Sequence, residues 1–360
     1  MSHSRINVTK SFLPPKEVYE SVLEKIWETN WLTNLGPLVK QLESKLKDFL
    51  TVDHLTLMTN GTFPIQIAIK ALGLTGEIIT TPFSYVATTS TIIWEGCTPV
   101  FVDIHPDYLS IDETKIEAAI TKKTSAILAT HVYGNPCNVE EIERIAQKHN
   151  LKVIYDAAHC FGVNYKGKSI FHYGDVSTCS FHATKIFHTG EGGCIISNNE
   201  QLQKELFNHH NFGHKNNEEF YGLGVNAKMS ELQAAMGLAV FPYFDQIKSE
   251  RKNVIENYKK LLQNKPVNFL KIREHTEWNY HYFPVFFENE EAVIKTEKRM
   301  NEHNIFPRRY FYPSLNNLPY LAKKVACPVS EHTAERVLCL PLFVGLSTED
   351  QQRIVNLIHD

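Results

Sequence analysis

The chain has 360 residues, enough for two domains at about 100–200 residues each. A hydrophobic share of 43% and a charged share of 21% exclude a disordered or fibrous protein. Basic and acidic side chains number 37 and 40, and the resulting net charge of −3 is too near neutral for wholesale nucleic-acid binding.

Residues 1–5 lack the apolar core of a secretory signal, and no run reaches the ~18 apolar residues of a membrane span. Two amphipathic stretches within 15–49 flank Trp31-Leu32-Thr33-Asn34-Leu35-Gly36-Pro37 and are expected to pack on the main domain or on a partner subunit. From residue 54 the chain alternates β-branched runs with helical stretches. Strands are predicted at 54–58, 78–80, 99–102, 125–129 and 152–155, and helices at 63–72, 85–94, 112–120 and 139–149. In the last of these helices Ile142, Ile145 and Ala146 recur at helical spacing. This rhythm predicts βαβ units, a largely parallel sheet and helices on both faces.

Short strands are expected near 176–181 and 194–197, a helix near 201–209, and one long helix from about 230 past 248. Beyond 265 the pattern predicts a strand over 278–286 and helices over 291–301 and 348–358. The reading divides the chain into a large α/β domain, 1–250, and a smaller α+β domain, 251–360. Seven cysteines, an odd number with no CxxC pair, argue against a disulfide framework or a zinc site and fit a reducing cytoplasm. No HExxH motif occurs among the 17 histidines, so no metal site is expected.

Ligands of open α/β sheets sit beyond the carboxyl ends of the strands. Asp156 closes the strand at 152–155 and can hold a protonated ring nitrogen, although aspartate is equally at home as a cap or turn residue. Lys185 follows the strand at 176–181 and precedes Gly190-Glu191-Gly192-Gly193. A lysine there is either a Schiff-base nucleophile or an ordinary solvated side chain. Asn60-Gly61-Thr62 lies between a strand and a helix, where free amides, the helix dipole and the Thr62 hydroxyl suit a phosphate or simply cap the helix. Ser180 is a second hydroxyl donor for the same phosphate, and Pro64 is tolerated in a first helical turn. Tyr85, in Thr81-Pro82-Phe83-Ser84-Tyr85-Val86-Ala87-Thr88, either stacks on a flat ring or packs in the core. Together these residues supply a phosphate cradle, a stacking face, a pyridine partner and an amine nucleophile, which is the set a pyridoxal phosphate enzyme needs.

With these segments the sequence resembles the DegT/DnrJ/EryC1/StrS family of nucleotide-sugar aminotransferases. The likeness also covers 31–37, 156–162, 180–193, 224–235, 310–315 and 335–342. It implies the type I, aspartate aminotransferase-like fold, with a mostly parallel seven-stranded sheet and a smaller C-terminal domain. It implies Lys185 as the Schiff-base lysine, Asp156 as the partner of the pyridinium nitrogen, and His159 beside the phenolic oxygen. It further implies Tyr85 on the ring face and Gly61, Thr62 and Ser180 at the phosphate. Asn226, in Gly224-Val225-Asn226-Ala227-Lys228-Met229-Ser230-Glu231, would reach the other subunit's cofactor phosphate in a homodimer. The implied cofactor is pyridoxal 5'-phosphate (PLP), with pyridoxamine 5'-phosphate as its aminated form.

Within the family, Trp31-Leu32-Thr33-Asn34, Thr59-Asn60-Gly61-Thr62 and Ser180-Phe181-His182-Ala183-Thr184-Lys185 look most like enzymes that make dTDP-4-amino-4,6-dideoxyglucose from dTDP-4-keto-6-deoxyglucose. The implied amino donor is L-glutamate, and the implied destination is a surface polysaccharide such as O antigen. Residues 31–34, Lys228 and residues 308–310 are candidates for the sugar-nucleotide phosphates. The alternatives are a 3-keto-sugar or UDP-sugar aminotransferase, a dehydratase of the same family (which would have replaced Lys185), and a non-catalytic scaffold. Two departures stand out. Phe63-Pro64 replaces small residues and is expected to reshape the phosphate turn, and Cys160 replaces a small residue and is expected to pack harmlessly.

Overall fold

The computed structural model describes residues 4–358. Seven strands form the central sheet: β1 (Thr56–Met58), β2 (Glu77–Thr80), β3 (Thr98–Phe101), β4 (Thr124–Thr130), β5 (Lys152–Asp156), β6 (Val176–Ser180) and β7 (Gly193–Ile196). Their order is β1-β7-β6-β5-β4-β2-β3. All pairings are parallel except those of β7, which runs antiparallel to both neighbours. The register sets Thr130 beside Asp156 and Asp156 beside Thr178, so three polar residues lie side by side across β4, β5 and β6.

Among the described residues nine helices accompany this sheet: α1 (Lys16–Thr29), α2 (Pro37–Leu50), α3 (Phe63–Ala71), α4 (Val86–Trp94), α5 (Glu113–Ala119), α6 (Val139–His149), α7 (Glu200–His210), α8 (Glu231–Val240) and α9 (Phe244–Leu261). The front segment packs on the main core. Leu38, Val39, Leu42, Leu46 and Leu50 of α2 are buried there. Buried Glu231 accepts from the Leu38 and Val39 amides at 2.8 and 2.9 Å, which satisfies the orphan donors of the α2 N-terminus. Ser230 opens α8 with a capping box shared with Gln233. The long helix expected from 230 is in fact two. Pro242 lacks the N–H that would continue α8, and a short 3-10 turn, Phe241–Tyr243, separates it from α9.

Phe244 and Ile247 of α9 belong to the main core, whereas Val254, Ile255 and Tyr258 enter a second one with Phe283, Val285, Leu338 and Ile354. This second core lies against an antiparallel sheet of β8 (Asn268–Phe269), β9 (Pro284–Phe286) and β10 (Val337–Cys339), and against α10 (Glu290–Glu302), α11 (Pro328–Arg336) and α12 (Thr348–Asn356). Ile6 joins it, and Ile6–Asn7 pairs in parallel with Ile305–Phe306.

The strand expected over 278–286 shrinks to β9. The residues before it bond to loops of the central sheet instead. Trp278 Nε1 donates to the Tyr133 carbonyl at 2.8 Å, and Asn279 Nδ2 donates to the carbonyls of His159 and Phe161 at 2.8 and 3.0 Å. Buried Arg251 of α9 donates to the Tyr280 and His281 carbonyls and fixes the same stretch from behind. Among the described residues no helix is long and apolar enough to cross a membrane.

Candidate active site

A cavity of about 680 Å³ opens at the carboxyl ends of β1, β2, β4, β5 and β6. Its walls include Gly61, Thr62, Tyr85, Asp156, His159, Ser180 and Lys185, seven of the eight residues singled out from sequence. The eighth, Asn226, is exposed and lies outside it. Tyr282, Arg308, Tyr310 and Phe311 arrive from the C-terminal part of the chain to close the other side.

Asp156 is buried. Its Oδ2 accepts from Thr88 Oγ1 at 2.7 Å and its Oδ1 from the Ala158 amide at 3.1 Å. Burial pushes its pKa up, while those two bonds and the positive charge of Lys185 pull it back. Lys185 is half-buried and its amine faces the cavity. Among the described residues it makes no hydrogen bond or ion pair, and it lies 5.9 Å from the centroid of the Tyr282 ring. Burial lowers its pKa to about 8, partly opposed by Asp156. An amine so placed is neutral far more often at physiological pH than a surface lysine, which is what a nucleophile requires.

His159 has a fixed tautomer. Its Nδ1 accepts the Tyr133 amide at 3.1 Å, and burial together with the nearby Lys185 charge holds the ring well below its usual pKa. The ring is therefore neutral and its proton sits on Nε2. Phe311 lies parallel to it, 5.7 Å away and tilted by 1°. Tyr133 has a left-handed backbone at φ 55°, rare for a bulky residue. That conformation serves two bonds, the amide to His159 and the hydroxyl to the Tyr310 carbonyl.

The turn before α3 departs from expectation. Its amides are not free, because Asn60 Oδ1 accepts from the Thr62 and Phe63 amides at 2.8 and 2.9 Å. An asparagine two residues ahead of a helix N-cap forms this turn readily, and here its oxygen stands where an anion would. The Thr62 and Ser180 hydroxyls, by contrast, donate to no acceptor among the described residues. Tyr85 caps the start of α4 and is 60% exposed, so it is available as a ring face and is not core filler. Pro64 is buried in the first turn of α3, and Cys160 is buried in the main core, off the cavity wall.

Other candidates separate. Arg308 lines the cavity with no partner for its guanidinium among the described residues. Arg309 is consumed by Glu290 at 2.7 Å, the Glu335 carbonyl at 3.0 Å and the Tyr312 ring. Lys228 and residues 31–34 lie off the cavity wall. Sequence reasoning missed Thr88, Tyr282 and Phe311. Thr88 was visible as a hydroxyl one helical turn after Tyr85, but nothing local tied it to Asp156.

Residues 16–359 match the DegT/DnrJ/EryC1/StrS aminotransferase family. The chain belongs to that family. The dTDP-4-amino-4,6-dideoxy-D-glucose transaminase of Escherichia coli is 40% identical over 369 aligned residues, 99% of each protein. Among solved structures, DesI in the presence of its TDP-sugar product superposes with a TM-score of 0.94 at 30% identity, covering 99% of this chain and 93% of that one. NtdA of Bacillus subtilis, solved with bound pyridoxamine phosphate, gives 0.87 at 29% identity over 95% of this chain and 80% of its own.

Aminotransferases of the DegT family depend on PLP, and the cavity residues suit that group. A buried carboxylate with lone pairs still open on both oxygens shares the cavity with an unpaired amine. Two unspent hydroxyls stand at a helix N-terminus, and a β-carbon on Gly61 would fall 2.6 Å from the Ser180 β-carbon, so only glycine leaves the cup open.

Proposed function

We propose that this chain is a PLP-dependent transaminase that moves an amino group from L-glutamate to dTDP-4-keto-6-deoxy-D-glucose, giving dTDP-4-amino-4,6-dideoxy-D-glucose. The observation that carries the reading is the buried Asp156 carboxylate at the end of β5 and the unpaired Lys185 amine in the turn after its parallel neighbour β6, both bordering one cavity. The sugar is taken from the relative that shares 40% identity along the full length. PLP in this cavity supplies an electron sink for the carbon bearing the transferred amine.

The residues divide the work. Asp156 holds a proton on the ring nitrogen, and the His159 Nε2–H donates to the ring's phenolic oxygen. Thr62, Ser180 and the open face of Gly61 hold the phosphate. Tyr85 covers the ring. Lys185 Nζ, once displaced by the donor's amine, takes the proton from the donor's α-carbon and hands it back on the other side of the transfer, so the released amine must be neutral at that step. Arg308, unpaired at the mouth, meets an anionic part of a substrate. Asn226 is exposed and off its own cavity, which supports a homodimer in which it serves the other subunit's phosphate. The same reading gives a large cofactor-binding domain over 1–250, a small domain over 251–360, and a cytoplasmic enzyme whose product enters a surface polysaccharide such as O antigen.

The test is spectroscopic and then chemical. Purified protein loaded with PLP is expected to show a visible band that L-glutamate converts to the near-UV band of pyridoxamine phosphate. The dTDP-4-keto sugar then restores the visible band, and NMR of the product finds nitrogen on C4. Nitrogen on C3, or turnover confined to UDP sugars, selects a sister aminotransferase. A protein that never takes up PLP returns the chain to the scaffold reading.

A further inference from the structure

From the Asp156 carboxylate three hydroxyls run in line, two of them, Ser84 and Thr130, on residues that also border the cavity. Thr88 Oγ1 donates to Asp156 Oδ2 at 2.7 Å, Ser84 Oγ lies 2.7 Å from Thr88 Oγ1, and Thr130 Oγ1 donates to Ser84 Oγ at 3.1 Å. None of the three residues is more than 3% exposed. They come from separate places: Thr130 ends β4, Ser84 lies in the loop between β2 and α4, and Thr88 sits in the first turn of α4.

A hydroxyl has one proton, and an ionised carboxylate only accepts. The Thr88 proton is therefore spent on Asp156. Ser84 must then donate to Thr88, and Thr130 to Ser84. The charge at one end orders every dipole in the row, and each bond polarises the next. Packing alone does not require this arrangement. Thr80 and Thr89, equally buried nearby, have no partner for their hydroxyls among the described residues.

We propose that Thr130, Ser84 and Thr88 form one positioning chain that keeps Asp156 ionised and aimed into the cavity, so that the cofactor's ring nitrogen keeps its proton. The inference rests on the PLP reading above. Burial alone drives Asp156 toward its neutral form, and the Thr88 bond opposes that most strongly, ahead of the Ala158 amide and the Lys185 charge. A neutral Asp156 would share a proton with the ring nitrogen and weaken the electron sink.

The experiment loads the apoprotein with PLP labelled with nitrogen-15 in the ring and reads that nitrogen's chemical shift at fixed pH. PLP affinity is titrated in parallel. The wild-type signal is expected at the protonated pyridinium position. Thr88→Val moves it toward the unprotonated position and weakens PLP binding about tenfold, the scale of one hydrogen bond to a charged group. Ser84→Ala moves it less in the same direction, Thr130→Val less again, and Thr88→Ser restores the wild-type signal.

An unmoved signal in Thr88→Val overturns the proposal. So does a shift in Thr88→Val with none in Ser84→Ala, which would reduce the chain to a single bond. If Thr88→Val fails to fold by circular dichroism, Ser84→Ala decides alone. A wild-type protein that takes up no labelled PLP overturns the cofactor reading and this inference together, and no variant is needed to see it.

Discussion

Gly61 and Ser180 close on each other across the end of the sheet: a β-carbon on Gly61 would lie 2.6 Å from the Ser180 β-carbon and 2.8 Å from its hydroxyl oxygen. The Ser180 β-carbon cannot yield without moving β6. Gly61→Ala is therefore expected to push the turn before α3 away from Ser180, leaving the fold intact and weakening PLP binding by about tenfold or more, on the scale of one to two lost hydrogen bonds to an anion. Fluorescence titration of the apoprotein with PLP measures this. Affinity equal to wild type would mean the phosphate sits elsewhere.

The Lys185 amine, with its pKa lowered to about 8, sets a pH dependence. The neutral fraction rises through pH 8, where an unperturbed lysine would still be charged. The rate at which the apoprotein takes up PLP is expected to climb with a midpoint near pH 8, and Lys185→Ala abolishes both covalent uptake and transamination. Stability carries the opposite face of the same shift. Burial penalises the ammonium fully below the folded pKa, and the penalty is relieved as pH rises from about 8 toward 10.5. Lys185→Met should then melt higher than wild-type apoprotein at pH 7, and a lower melting temperature would contradict the assigned shift.

The positions that were legible in sequence are those where an apolar run ends in one polar residue. Asp156 announces itself that way, because a strand's apolar run and its carboxyl end are local features, and Lys185 stands out by its place between a strand and the Gly190-Glu191-Gly192-Gly193 turn. The other wall of the cavity was not legible. Tyr282 sits in a stretch whose alternation imitates a strand, and the bonds of Trp278 and Asn279 to distant loops override that pattern. Phe311 lies against His159 only through tertiary packing. The insertion of β7 between β1 and β6 is equally a matter of assembly, since antiparallel and parallel strands share one alphabet. The free amides expected before α3 failed for a local reason that was available: Asn60 reaches them itself.

Two adjacent arginines give a contrast. Arg308 borders the cavity unpaired, whereas Arg309 holds Glu290, two carbonyls and a tyrosine ring. Arg308→Ala is expected to raise KM for the sugar nucleotide about tenfold or more while leaving the melting temperature within a degree or two, since only a charge-assisted contact to the substrate is lost. Arg309→Ala is expected to do the reverse, costing about 1–3 kcal/mol of stability through its lost bonds and stacked cation. Steady-state kinetics paired with urea unfolding separates the two. Equal effects on KM would remove Arg308 from the substrate's path.

Acid should unfold this protein through its histidines. His131, His159, His210 and His281 are all buried. Burial takes His131 down to about 3 and His210 to about 4, and holds the other two well below the ordinary value. The unfolded chain binds protons at these positions from about pH 6.5 downward, and the native chain does not. Their contribution to stability is complete above pH 6.5 and is lost as pH falls toward the folded values. Asp156 and Glu43 work the other way, because burial raises their pKa and lets the native state hold a proton better, but they are two groups against the four rings and a fifth buried one, His188, whose pKa burial also lowers. His131 shows why protonation is not tolerated in place. Its Nδ1 already accepts the Cys137 amide at 2.9 Å, its face is stacked on Tyr155, and its Nε2 has no partner, so a charged ring would have to break one bond and bury a second unmet donor. Calorimetry at pH 5.5 in buffers of different ionisation enthalpy is expected to show net proton uptake on unfolding, and the melting temperature should fall steadily from pH 7 to 5. A flat melting temperature over that range would mean these rings are charged in the folded protein, and the neutral His159 that donates from Nε2 would have to be given up.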